Sequence, residues 1–124
     1  MIKGIGTDII EISRVTRAAE NEKFLERWFT ANERSFFAGK GSRKYESIAA
    51  NFAAKEAAAK ALGTGFAGFS AADIEILRDE RGAPYVNLFD GAKARAESLG
   101  VSEIFVSLSH CESYAVAYVV MEML

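Results

Sequence analysis

NFAAKEAAAKALGTG, running from Asn51 to Gly65, is the stretch on which the reading of this chain turns. At 100° per residue Phe52, Glu56 and Lys60 fall on one helix face, so an acid and a base lie one turn apart beside an aromatic ring. Such a face can hold a metal and a phosphate together. Ala53, Ala54, Ala57, Ala58, Ala59 and Ala61 let other backbones approach closely, and Gly63 is placed to take the left-handed conformation that closes a helix. The same spacing also fits an ordinary solvated helix with a Glu56–Lys60 pair. What the rest of the chain brings to this face decides between the two.

Upstream, Met1 to Ile12 is rich in isoleucine and interrupted by Gly4 and Gly6, which predicts a strand with a bulge or a close backbone contact. Asp8 sits in its middle. Ser13 is placed to cap a short helix, Asn21 a second, and Thr30 with Glu33 forms a capping box for a third that ends near Gly39. Gly39 to Arg43 reads as a basic loop, and the long helix runs from about Lys44 to Leu62. Downstream, Ile74 to Arg78 and Tyr85 to Phe89 alternate around Asp79 to Gly82, a hairpin pattern with Pro84 opening the second strand. A helix from Asp90 or Gly91 ends at Gly100, and Ile104 to Ser109 and Tyr114 to Met121 are two further strands. This order predicts an α+β fold, with helices packed on a mostly antiparallel sheet and the alanine side of the long helix turned inward.

With 124 residues, half of them apolar, the chain suits one domain spanning 1–124. A net charge of −2 exerts no global pull toward nucleic acid or an anionic membrane, so neither is expected as a partner. The single cysteine, Cys111, excludes an internal disulfide. With no charged-then-apolar leader and no long apolar span, the expected home is the reducing cytoplasm.

A carboxylate inside an isoleucine-rich strand is costly to bury unless it is paired, hydrogen-bonded or bound to a cation. Asp8 is therefore the natural partner for Glu56, and two carboxylates with phosphate oxygens and water describe a usual magnesium site. His110, the only histidine, ends a strand; it fits a sheet corner as well as a phosphate contact or a proton carrier. Ser107 and Ser109 share a polar face. No serine lies in a nucleophile elbow and no glycine run matches a Walker or dinucleotide fingerprint.

GIGTDIIEI at 4–12, FAAKEAAAKALGTG at 52–65, GAPYV at 82–86 and SLSHCESYAVAYVV at 107–120 together resemble the holo-[acyl-carrier-protein] synthase family, and the match runs from one end of the chain to the other. The resemblance implies the 4′-phosphopantetheinyl transferase fold and an enzyme that moves the phosphopantetheine arm of coenzyme A onto a serine of apo acyl carrier protein, releasing adenosine 3′,5′-bisphosphate. It also implies magnesium, and a homotrimer with active sites between subunits. Asp8 and Glu56 match the family's metal-binding acids and Lys60 its phosphate-contacting lysine, so these three are the expected catalytic residues. His110 lies where the family borders coenzyme A; Ser109, Pro84 and the Gly63, Thr64, Gly65 turn are expected on the same substrate. The serine's proton would go to Glu56 through a water on the metal, or to a water alone. Since acyl carrier protein is small and acidic, Arg14 is expected in its docking patch.

Family members commonly have an arginine directly before FAAKEA, where this chain has Asn51. Lys44, Asn51 and Lys55 recur at i, i+7 and i+11, which predicts a cationic stripe, approached by Arg43, with a neutral gap at Asn51; the resemblance implies that the family's arginine at this place lies near the 3′-phosphate of coenzyme A. Two other classes fit less of the sequence. A magnesium-dependent pyrophosphate hydrolase lacks its cluster of glutamates here, and a silent coenzyme A-binding module gives no reason for both Asp8 and Glu56.

Overall fold

The computed structural model describes the whole chain, Met1–Leu124. Strand β1 (Ile2–Glu11) leads into three short helices, α1 (Ile12–Ala19), α2 (Glu22–Trp28) and α3 (Ala31–Ala38). A 3₁₀ turn at Gly41–Arg43 then opens the long helix α4 (Lys44–Ala61). The hairpin β2 (Ile74–Arg78) and β3 (Pro84–Leu88) follows, then α5 (Asp90–Leu99), β4 (Glu103–His110) and β5 (Tyr114–Glu122). Every pairing is antiparallel, in one sheet of order β1-β5-β4 and a separate β2-β3 ribbon. This is the expected α+β fold, with its strands divided between two sheets.

The local signals act where the sequence places them, with one exception. Asn21 Oδ1 accepts from Lys23 N at 2.9 Å, and Thr30 and Glu33 form the reciprocal capping box that starts α3. Gly63, at φ +83°, follows the last turn of α4, and Gly100, at φ +78°, closes α5. Ser13 caps nothing. The helix begins one residue earlier, at Ile12, whose N–H donates to Ser113 O at 2.9 Å across the sheet end, and this leaves Ser13 inside the first turn.

α4 crosses the three-stranded sheet with Ala53, Ala54, Ala57, Ala58 and Ala61 buried against it. Because these side chains are single methyls, β1 can lie against the helix backbone itself. A Cβ at Gly4 would overlap the carbonyl oxygen of Ala61, and one at Gly6 that of Ala57. The register of β1 on β5 shifts between Ile2 and Gly4, the bulge the glycines suggest.

A second contact, between α3, α4 and β2, is polar and dry. Lys55 and Glu33 are both fully buried and pair at 2.7 Å. Lys55 Nζ also donates to the carbonyls of Ala71, at 3.0 Å, and Ile74, so all three of its protons are used. Glu33 accepts in addition from Thr30 N, Asn51 Nδ2 and Ile76 N. This overturns the predicted stripe. Asn51 and Lys55, four residues apart, share a face, but it is the face turned into the protein, where Asn51 is 0% exposed and donates to Ile76 O at 2.9 Å.

The outer face of the β1-β5-β4 sheet has no covering layer. Ile5, Ile9, Phe105, Tyr114 and Tyr118 stand exposed on it, between 47% and 66%.

The glycine contact yields a stability prediction. Gly6→Ala forces backbone against backbone and should cost about 3 kcal/mol or more, at the upper end of overpacking losses. Gly39→Ala, whose Cβ would meet nothing nearer than 3.6 Å and whose φ is −78°, should stay within about 1 kcal/mol of wild type. Urea unfolding at fixed protein concentration measures both, and equal losses would mean that β1 is not held at contact distance.

Candidate active site

Asp8 belongs to the same inward face of β1 as Gly4 and Gly6, so the close approach of β1 to α4 carries its carboxylate toward Glu56. Lys60, one turn beyond Glu56, reaches back across the gap: its Nζ donates to Thr7 O at 3.0 Å and to Asp8 Oδ1 at 3.2 Å. The ion pair is thus Asp8–Lys60, not the Glu56–Lys60 pair of an ordinary solvated helix. Burial pushes the Glu56 carboxyl above the usual carboxylate range, the Asp8 charge pushes it further, and Lys60 pulls it partly back. These groups open into a cavity of about 590 Å³. Phe24, Val15 and Phe52 form its apolar wall, and Arg14 and Tyr114 stand at its rim.

Asp8 and Glu56 are the residues that could hold a divalent cation. A cation between the two carboxylates would offset what burial and the Asp8 charge cost Glu56 on ionising. A small hard ion that keeps several waters and takes phosphate oxygens needs no larger protein cage. No set of three or more His, Cys, Asp or Glu gathers anywhere in the chain, this cavity included.

A second cavity, of about 220 Å³, lies at the other edge of the sheet. It is walled by Arg43 and Glu46 from the start of α4, Arg78 and Pro84 from the β2-β3 hairpin, and Leu108 and His110 from β4. Glu46 Oε2 lies 3.6 Å from Arg43 Nε and 3.8 Å from His110 Nε2. β1 and β4 flank β5 on opposite sides, so the two cavities face opposite ways across α4.

Of the residues singled out in the sequence, Asp8, Glu56, Lys60 and Arg14 meet in the first cavity, and Arg43, Pro84 and His110 in the second. Others stand apart. Lys44 lies with its Nζ 5.1 Å from the Tyr45 ring, in a shallow cavity beside Leu25 and Phe37, because helix geometry sends it away from Arg43. Gly63, Thr64 and Gly65 form a turn past the end of α4, the first two exposed and Gly65 half-buried, and Ser109 points to the outer face of β4; none of the four lines either cavity. The sequence reading missed Arg78, Lys40 and Glu46. Arg78 looked like the mere end of a strand, and the sole signal for it was a basic residue beside the Asp79 to Gly82 turn.

The chain matches the model of the 4′-phosphopantetheinyl transferase superfamily over residues 4–119. It is 54% identical to a holo-[acyl-carrier-protein] synthase of Clostridium beijerinckii, with 98% of each chain covered. Among solved structures it resembles a holo-(acyl-carrier-protein) synthase of Bacillus anthracis in complex with CoA (3′,5′-ADP), at TM-score 0.84 and 42% identity over 100% of this chain and 99% of that one. It also resembles the holo-[acyl-carrier-protein] synthase of Neisseria meningitidis, at TM-score 0.89 and 36% identity over 98% and 99%.

The raised Glu56 carboxyl has a measurable consequence. With its folded-state pKa raised, ionised Glu56 destabilises the metal-free protein at neutral pH. Glu56→Gln should therefore raise the urea midpoint at pH 7, and the gain should vanish as pH falls through the raised value toward 4.5, where wild type is itself neutral. Millimolar magnesium should narrow or reverse the difference by stabilising wild type alone. Identical midpoints at pH 7 without metal would show that burial and the Asp8 charge do not raise the Glu56 carboxyl.

Proposed function

The chain belongs to the holo-[acyl-carrier-protein] synthases of the 4′-phosphopantetheinyl transferase superfamily, and from that footing we propose how its two cavities serve the reaction. The enzyme transfers the 4′-phosphopantetheine group of coenzyme A to a serine of apo acyl carrier protein in fatty acid biosynthesis, releasing adenosine 3′,5′-bisphosphate. A phosphorus–oxygen bond forms to the serine, the one joining the two phosphates breaks, and the serine loses its proton.

The observation that carries the reading is Lys60, tethered to Thr7 O and Asp8 beside a proton-hungry Glu56 in an open cavity. Two of the lysine's protons are engaged and the third is free to face a phosphoryl oxygen, where a fixed cation offsets developing charge. Glu56 has two oxygens, so it can face a cation with one and with the other orient the serine, or the water that takes its proton. Magnesium, held by Asp8 and Glu56, would neutralise pyrophosphate oxygens. The apolar wall of Phe24, Val15 and Phe52 suits the pantetheine arm, and Arg14 at the rim suits an acidic carrier.

We also read the active protein as a homotrimer with sites shared between subunits. Two features support this. The uncovered sheet face carries five large apolar side chains, Ile5, Ile9, Phe105, Tyr114 and Tyr118, and a grouped apolar surface of this kind marks an interaction site. The two cavities lie at opposite edges of the sheet, so a neighbouring copy that set its β4 edge against the β1 edge would join them into one site. No helix is long and apolar enough to cross a membrane, and the one cysteine is exposed and unpaired, in keeping with a reducing cytoplasmic setting.

Incubation with apo carrier, coenzyme A and magnesium should add the phosphopantetheine mass to the carrier. Asp8→Ala should slow this about a hundredfold or more, the scale of losing a main electrostatic contributor. Arg14→Glu should raise the apparent KM for carrier and leave that for coenzyme A nearly unchanged. Full turnover by Asp8→Ala would remove it from the site.

Sharing is tested separately. The protein should scatter light as about three times its 13.5 kDa chain, and Asp8→Ala and Arg43→Ala chains refolded together should regain activity that neither has alone. A monomer, or no regain on mixing, would place each site within one chain.

A further inference from the structure

Lys55 stands next to Glu56 in α4, yet it is fully buried and lines neither cavity. Its Nζ donates to Glu33 Oε1 at 2.7 Å, to Ala71 O at 3.0 Å and to Ile74 O. The three acceptors belong to α3, to the 3₁₀ turn at Ala71–Asp73 and to β2. An ammonium has three donors, so with all of them committed to fixed acceptors α4 cannot turn about its axis without breaking at least one bond. The acceptors are themselves held. Glu33 is bound by Thr30 N, Asn51 Nδ2 and Ile76 N, and Asn51 Oδ1 accepts from Arg78 Nη2 at 2.9 Å, which ties the junction to the end of β2.

The opposite side of α4 defines no such angle. Ala53, Ala54, Ala57, Ala58 and Ala61 present single methyls to the sheet, and a smooth face resists rotation less than interlocking ridges of large side chains do. Angle matters here. Glu56 follows Lys55 by 100° of helix turn, and Lys60 lies one turn beyond Glu56. A rotation of about 20° carries a group at the side-chain radius of about 5–6 Å through about 2 Å, enough to take Lys60 Nζ off Thr7 O and Glu56 away from Asp8. As a source of stability a buried ion pair is seldom better than an apolar pair of equal volume. What this one adds is a single orientation.

We propose that Lys55, with Glu33, is a positioning residue for the transfer: it fixes the rotation of α4 about its axis and so aims Glu56 and Lys60 at Asp8 while touching no reacting group. The inference rests on the transferase reading above and adds to it a residue outside both cavities. A reporter of the angle is built in. Phe52 shares the face of Glu56 and Lys60, and Trp28, the only tryptophan, stacks on it with ring centroids 4.4 Å apart. The near-ultraviolet circular dichroism of Trp28 therefore follows the rotation with no substrate present.

The test is the double variant Glu33→Gln, Lys55→Met in the intact assembled protein. It removes both charges at nearly constant volume, and glutamine still serves the capping box of α3. The urea midpoint should stay near that of wild type. The Trp28 band should weaken, and kcat for transfer to apo carrier should fall about tenfold or more, since an ångström of misplacement at a reacting centre can cost on the order of a hundredfold. The KM for carrier, whose docking residue Arg14 sits on α1, should stay within about twofold. Ile48→Val, which trims α4 away from this junction, should leave band, kcat and KM unchanged. A Trp28 band unaltered in the double variant overturns the proposal, and so does a double variant that no longer folds, because the pair would then hold the fold and not the angle. A wild type that never modifies the carrier sinks the catalytic reading, and the Trp28 band by itself then decides whether the pair sets the rotation.

Discussion

The site depends on how near β1 comes to α4. Glycine on the strand meets the backbone of Ala57 and Ala61 on the helix, and no larger residue fits at either place. That separation decides whether Asp8 and Glu56 feel each other, and whether Lys60 can reach Thr7 O. A shift of one ångström there would leave every residue of the site present while undoing its geometry. The small residues that look like filler are what place the reactive ones.

Most of the fold was legible because its signals are local. A capping box, a glycine past the end of a helix and a two-residue alternation each act within a few positions, and α2 to α5 and all five strands follow them. The Asp8–Glu56 meeting was legible for another reason: an acid in an apolar strand needs a partner, and one acid lay on the central helix. Ser13 shows the limit of such reading, since a hydrogen bond from Ile12 to Ser113, a hundred residues away, moved the helix start.

Asn51 and Lys55 were illegible for the opposite reason. Their spacing marked one face, but nothing nearby says whether a face carrying an asparagine and a lysine points outward. The answer lies in Glu33, which the sequence presents as the end of a capping box. Its carboxylate serves the cap and then continues inward to bind Lys55, Asn51 and Ile76. Arg78 follows from the same distant arrangement, because its orientation is inherited from Asn51. A net charge of −2 gave no hint of a cavity with four basic side chains on its wall.

The polar junction and the glycine contact respond differently to heat. Charged groups lose hydration free energy as temperature rises, so the penalty for keeping Glu33 and Lys55 out of water diminishes while their attraction persists. Apolar contacts such as those of the alanine face show no comparable growth. As the protein warms, the dry ion pair tying α3 and β2 to the central helix therefore bears a growing share of the load, and the helices around the pocket stay anchored under conditions that loosen the rest.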